Sequence, residues 1–202
     1  MLLKICGLTT EADAAHAAAA GATAVGVIFA PASPRCVSAD RARDIVRAVP
    51  ADVPVVGVFV DAPLADIVAT VAHTGIRVVQ LHGDEPESYT AALKMPLWRA
   101  AGVDVEPERW AQALLLLDAV AAPQRGGTGT RVDWQQAAAI ARRRKVVLAG
   151  GLTPGNVAEA VATVRPYGVD VSSGVEDAPG RKNPDKVAEF LASARAAFAR
   201  LS

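Results

Sequence analysis

Short apolar runs alternate with Ala-rich, helically spaced segments along nearly all of the 202 residues. The runs are LLKIC, AVGVIFA, VPVVGVFV, RVVQLHG, LWRAAGV, ALLLLD, KVVLAGG and GVDVSSG. Each is apolar on both faces, as expected of a buried parallel strand. Each ends in polar or Gly/Pro punctuation before a helical stretch begins. Helix starts carry capping chemistry. Thr10 with Asp13 opens EADAAHAAAA, Ser38 opens ADRARDIVRAV, and Thr153 followed by Pro154 fits an N-cap and first-turn pair. Pro63, Pro86 and Pro184 stand near further starts, and PDKVAEFLASARAAFARL closes the chain as an amphipathic helix.

The alternation amounts to eight βα units, the number that closes a parallel barrel. A length of ~200 residues is the lower end of that architecture's range. A doubly wound open sheet, the competing α/β arrangement, uses about five to seven strands. No stretch reads as a linker. The expected fold is therefore α/β: one compact (β/α)8 TIM-barrel domain over residues 1–202.

Composition changes this picture in two ways. Apolar residues make up 51% and aromatics only 4%, so the core must be built from small and branched aliphatics. Lys and Arg (21) balance Asp and Glu (21). That balance points to neither a nucleic-acid nor an anionic-membrane partner, and any bound anion must be held by local geometry. Cys6 and Cys36 lack the spacing of a metal site or a disulfide framework, which favours a reduced, intracellular setting. Lys4 interrupts the first apolar run, and no run approaches the ~20 residues that span a bilayer. A soluble, cytoplasmic protein is expected.

In a barrel of this kind the chemistry sits at the C-terminal strand ends. Those ends carry Cys6-Gly7, the Ser33-Pro34-Arg35 loop, the Gln80-Leu81-His82-Gly83-Asp84-Glu85 segment, Asp118, Gly150-Gly151 and Ser172-Ser173-Gly174. LAGGLTPGNV and VSSGVEDAPG place glycine turns after strands 7 and 8, where backbone N–H groups bind phosphate without Lys or Arg. Tight βα turns alone would also explain these glycines. QRGGTGTRVDW, after strand 6, matches neither a dinucleotide fingerprint nor a P-loop. It reads as a mobile cover or a plain surface loop.

Asp118 ends a run so apolar that its carboxyl emerges at the strand tip or is buried. With little water around it, such a carboxyl has a raised pKa and serves as a general acid, unless it is only a cap or a loop ion pair. Alternation puts Lys4 and Cys6 on one strand face. If that face is interior, Lys4 needs a partner, and Asp170 on the neighbouring strand is the expected one. A cation below Cys6 would favour its thiolate, although a lone buried cysteine is more often structural. His82 reads as a substrate contact, a base or a core histidine, and His16 and His73 lie in helices. Arg35 is the only cation of its loop and suits a carboxylate, or simply the surface.

With these residues assembled, the sequence resembles the phosphoribosylanthranilate isomerase family of tryptophan biosynthesis. KICGLT, SPR followed by VS, VGVFV, VQLHGDE, LLLLD, GGTG with DW, AGGLTPGNV and DVSSGVEDAPGRK occur in family order across residues 2–182. The resemblance implies an Amadori rearrangement of an aminoaldose to an aminoketose, with no metal or organic cofactor. It implies Asp118 as the general acid and Cys6 as the general base. It also implies Arg35 near the anthranilate carboxylate, and Gly150, Gly151, Ser173 and Gly174 around the phosphate. A small phosphorylated substrate is the expected partner, and the chain a monomer or homodimer. Departures fall at Thr130, Arg131 and Val132 after GGTG, at Asn183 and at Cys36. A related histidine-pathway barrel would use aspartates as both acid and base, and lacks a cysteine at the first position. A phosphate-binding sensor would need neither Cys6 nor Asp118.

Overall fold

The computed structural model describes residues 1–119 and 132–201. Eight parallel strands close into a barrel in sequence order. They are β1 (Leu2–Ile5), β2 (Ala24–Ile28), β3 (Val55–Phe59), β4 (Val78–Leu81), β5 (Leu97–Ala101), β6 (Leu114–Leu117), β7 (Val146–Leu148) and β8 (Gly168–Val171). Helices α1 (Glu11–Ala19), α2 (Ala39–Ala48), α3 (Leu64–Thr74), α4 (Tyr89–Leu93), α5 (Trp134–Ala141), α6 (Val157–Val164) and α7 (Pro184–Ala199) lie outside. A short hairpin, β9 (Glu176–Ala178) with β10 (Arg181–Lys182), follows β8.

The expected caps at Thr10 and Ser38 form, each accepting a backbone N–H three residues on. Asn183 caps α7 by accepting from Lys186 N at 2.9 Å, which gives this departure from the family pattern a local role. Two expectations need correction. The fifth unit has no helix between β5 and β6, only turns. VDVEPERWAQA offers no apolar helical stripe, Pro107 interrupts it, and buried Trp110 sits at φ 59°. Helix α6 starts at Val157, with Asn156 rather than Thr153 at the N-cap position and no side-chain cap bond. The buried Asn156 amide accepts from Thr153 N (2.8 Å) and donates to Gly151 O (2.9 Å), holding residues 151–156 in a turn.

Burial separates two layers. The larger, between strands and helices, holds Leu3, Ile5, Val25, Leu115 and Phe190. The smaller fills the barrel with Ala24, Val56, Val78, Trp98, Leu116 and Val147. Strand alternation carries this interior face upward through Lys4, Gln80 and Asp170 to Cys6, His82 and Asp118 at the strand tips. The interior is apolar at its base and charged in its middle, and it opens on reactive groups.

Candidate active site

Lys4 is fully buried, and its ammonium donates to Asp170 Oδ2 and to Gln80 Oε1, both at 3.0 Å. Register explains the first contact, since Lys4 stands opposite Asp170 where β1 pairs with β8. Burial alone would lower the Lys4 pKa, but Asp170 and Cys6 together hold it above its ordinary value. The ammonium therefore stays charged. Lys4→Met would strand the Asp170 carboxylate in the interior, and removing one partner of a buried pair costs about 3–5 kcal/mol. Urea denaturation at neutral pH should show a loss of that size.

Cys6 is buried and sits directly above this pair. Gly26 of β2 makes the room: a Cβ there would lie 2.8 Å from Cys6 Sγ and 3.0 Å from Lys4 Cε. The expected lowering of the thiol pKa does not occur. Burial pushes it up and outweighs the pull of Lys4 and Lys182, while Asp170 adds to the rise. A neighbouring cation favours thiolate only where it exceeds the cost of desolvating the anion. Cys36 is also a free thiol but is exposed.

Asp118 is buried at the tip of β6. Its Oδ1 accepts from Ala119 N at 2.8 Å, and its Oδ2 lies 3.4 Å from His82 Nε2. Gly150 (φ 75°) borders it so closely that a Cβ would come within 3.0 Å of Oδ1. His82 is steadied from below by Gln80, whose Nε2 lies 3.2 Å from Nδ1. The following turn is pinned by buried Glu85, which accepts from Asp61 N, Gly83 N and Arg99 at 2.9, 2.8 and 2.7 Å. The turn after β4 is thus a rigid mount for His82.

Arg35 is not a surface residue. Its Nε and Nη2 donate to Glu176 at 2.9 and 2.8 Å, and Lys182 donates to the same carboxylate at 2.7 Å. Burial would raise the Glu176 pKa, but the two cations hold it below the ordinary value. The fork expected to meet a ligand carboxylate is therefore occupied by the protein's own. Two cations against one anion leave a surplus positive charge, with Arg35 Nη1 outside the fork.

Ser173, Gly174 and Val175 form a 3₁₀ turn after β8. Gly174 lies against the loop after β7, where a Cβ would sit 1.9 Å from Leu152 O. Gly151 (φ 67°) opens that loop. The two turns meet face to face, which only a residue without a side chain permits. Gly174→Ala should cost about 1–3 kcal/mol by overpacking, visible in thermal or chemical denaturation. The GGTG stretch expected to cover the site lies outside the described residues.

Cys6, Arg35, Gln80, His82, Asp118, Asp170 and Ser172 all line one cleft of about 540 Å³ including its open mouth. Among the described residues, Asp170 Oδ1 and Ser172 Oγ are buried without a hydrogen-bond partner, a pattern suited to a polyhydroxylated ligand. Residues 3–193 match the family model for N-(5'phosphoribosyl)anthranilate (PRA) isomerase. The chain belongs to the phosphoribosylanthranilate isomerase family. It is 46% identical over 199 residues to the N-(5'-phosphoribosyl)anthranilate isomerase of Geobacter sp. (strain M21), covering 96% of this chain and 97% of that one. A monomeric form of the dimeric isomerase from Thermotoga maritima superposes with a TM-score of 0.85 at 38% identity, covering 97% of this chain and all of the other. An isomerase solved with reduced 1-(o-carboxyphenylamino)-1-deoxyribulose 5-phosphate superposes at 0.83 and 36% identity, with the same coverage. As a phosphoribosylanthranilate isomerase, the chain is an enzyme of tryptophan biosynthesis that converts an aldose to a ketose.

Sequence reasoning left out of the isomerase site Gln80, Glu176, Lys182 and Asn156. Gln80 carried a signal, because a lone amide inside the apolar run RVVQL faces the same way as Lys4 once the strands are placed. Glu176 and Lys182 carried none, since their contact with Arg35 depends on how β9 and β10 fold back.

Proposed function

We propose that Asp118 and Cys6 are the acid and the base of the Amadori rearrangement of N-(5'-phosphoribosyl)anthranilate. The observation that carries this is that both side chains, from β6 and β1, line one cleft with the two glycine turns beside it. Asp118 gives its proton to the ribose ring oxygen. The C1–O bond breaks and an iminium forms between C1 and the anthranilate nitrogen. Cys6 as thiolate then takes the proton from C2, and that electron pair neutralises the iminium to give an enolamine. Loss of the C2 hydroxyl proton and protonation of C1 yield 1-(2-carboxyphenylamino)-1-deoxy-D-ribulose 5-phosphate. Cys6 must give its thiol proton to solvent before this step, and the iminium cation offsets the burial that holds that proton. Ring opening thus precedes proton abstraction.

Gly151, Ser173 and Gly174 cradle the phosphate with backbone N–H groups, and Gly150 gives Asp118 its space. Arg35 Nη1 meets the anthranilate carboxylate, with Lys182 offsetting Glu176. Asp170 Oδ1 and Ser172 Oγ take sugar hydroxyls, and His82 contacts the substrate beside Asp118. The site draws on one chain, so a monomer or a homodimer would carry it equally, as a single barrel domain in the cytoplasm without a cofactor. The test is rescue of a tryptophan auxotroph lacking this isomerase. The wild-type gene should restore growth, whereas Cys6→Ala and Asp118→Ala should not. Growth with both variants would sink the assignment of roles.

A further inference from the structure

We propose that Gln80 is a positioning residue that sets the tautomer of His82, placing the hydrogen of the neutral ring on Nε2, the nitrogen that faces Asp118. The Lys4 ammonium has donors and no acceptor. At 3.0 Å from Gln80 it must face the amide oxygen. Gln80 is 1% exposed, so water does not compete for that oxygen. Lys4 is held in place by its second bond, to Asp170. The amide orientation is therefore fixed, and its NH2 end points at His82 Nδ1, 3.2 Å away. An NH2 group only donates, so Nδ1 must offer a lone pair. The hydrogen of the neutral ring then stands on Nε2, 3.4 Å from Asp118 Oδ2. Three side chains from β1 and β4 thus form one chain of donors, Lys4 to Gln80 to His82, and the far ring nitrogen faces Asp118 Oδ2 across 3.4 Å.

The consequence rests on the reading of Asp118 as the acid. An imidazolium beside Asp118 would form an ion pair and hold the carboxyl ionised. Protonating Nδ1 would set an N–H against the Gln80 NH2, and the chain opposes that. A neutral N–H donor orients the carboxyl yet leaves it able to hold a proton, then steadies the carboxylate once the proton has left. A fixed tautomer set by the partner of the other ring nitrogen is the usual means of assigning an imidazole its role.

The test uses the full chain labelled with ¹⁵N-histidine, in which three histidines give a resolvable spectrum. At neutral pH, His82 should show a protonated Nε2 and a lone-pair Nδ1. In Gln80→Glu, one carboxylate oxygen still accepts from Lys4 while the other accepts from the ring, so the hydrogen should move onto Nδ1. In Gln80→Leu, the tautomer preference should disappear. Both variants should lose about tenfold in kcat, one hydrogen bond's worth of transition-state stabilisation, with KM changed far less. A wild-type His82 that is protonated on Nδ1 would overturn the proposal, whether or not the variants fold. So would folded Gln80→Leu with His82 signals and kcat both unchanged. If Asp118→Asn retained activity while His82 kept its Nε2 hydrogen, the acid assignment would fail and the positioning role would stand.

Discussion

Asp118→Asn is expected to lower kcat by about 10²–10⁴-fold, the usual contribution of a positioned acid or base. The amide matches the carboxyl in shape, so the contact from Ala119 N survives and the cleft keeps its form. What disappears is the transferable proton. Without it the ribose oxygen leaves as a poor leaving group, and the iminium that activates C2 does not form. On the proposed roles, the glycine turns and the Arg35 cluster bind the substrate, so KM should change little. Steady-state kinetics on the purified variant, with circular dichroism as a fold control, check both halves. A large rise in KM with kcat preserved would recast Asp118 as a binding group.

Cys6→Ser should cost a similar about 10²–10⁴-fold in kcat. A serine hydroxyl fills the same space above Lys4, but no group in this site brings an alkoxide within reach near neutrality. Cys6→Ala should be equally inactive and fold normally, because losing the sulfur leaves the Lys4 bonds to Asp170 and Gln80 in place. The wild-type pH profile carries a sign of its own. Burial raises the thiol pKa above its ordinary value of 9.0, and the base works as thiolate. Activity of the free enzyme, read as kcat/KM, should therefore rise with pH toward the alkaline side, and that limb should vanish in Cys6→Ser.

Much of this was legible before any coordinates. The eight apolar runs gave eight strands, because a strand buried on both faces has few other ways to read. Alternation put Lys4 beneath Cys6 and opposite Asp170, and the pair forms at 3.0 Å. Of the strand-tip groups, Cys6, Arg35, His82, Asp118 and Ser172 line one cleft, whereas Gly150, Gly151, Ser173 and Gly174 are not part of its lining. The missing fifth helix was not legible from counting units, since Pro107 and the left-handed Trp110 act against helix within a segment of suitable length. The direction of the Cys6 shift was also hidden. It depends on whether burial or Lys4 dominates, and a strand pattern reveals the neighbour but not the depth. The Arg35–Glu176–Lys182 cluster joins residues 141 positions apart, and no local pattern encodes that approach.

The central claim is that one cleft holds the sugar between Cys6 and Asp118 with the phosphate on the β7 and β8 turns. A crystal structure of the chain with reduced 1-(o-carboxyphenylamino)-1-deoxyribulose 5-phosphate tests it most directly. Sugar C2 should lie about 3–3.5 Å from Cys6 Sγ, the separation of a near-attack geometry. The Asp118 carboxyl should lie at the oxygen that closes the ring, and the phosphate against the amides of Gly151 and Gly174. A phosphate seated instead beside Arg99 and Arg109, in the neighbouring cleft above β5, with C2 out of reach of Cys6, would contradict it.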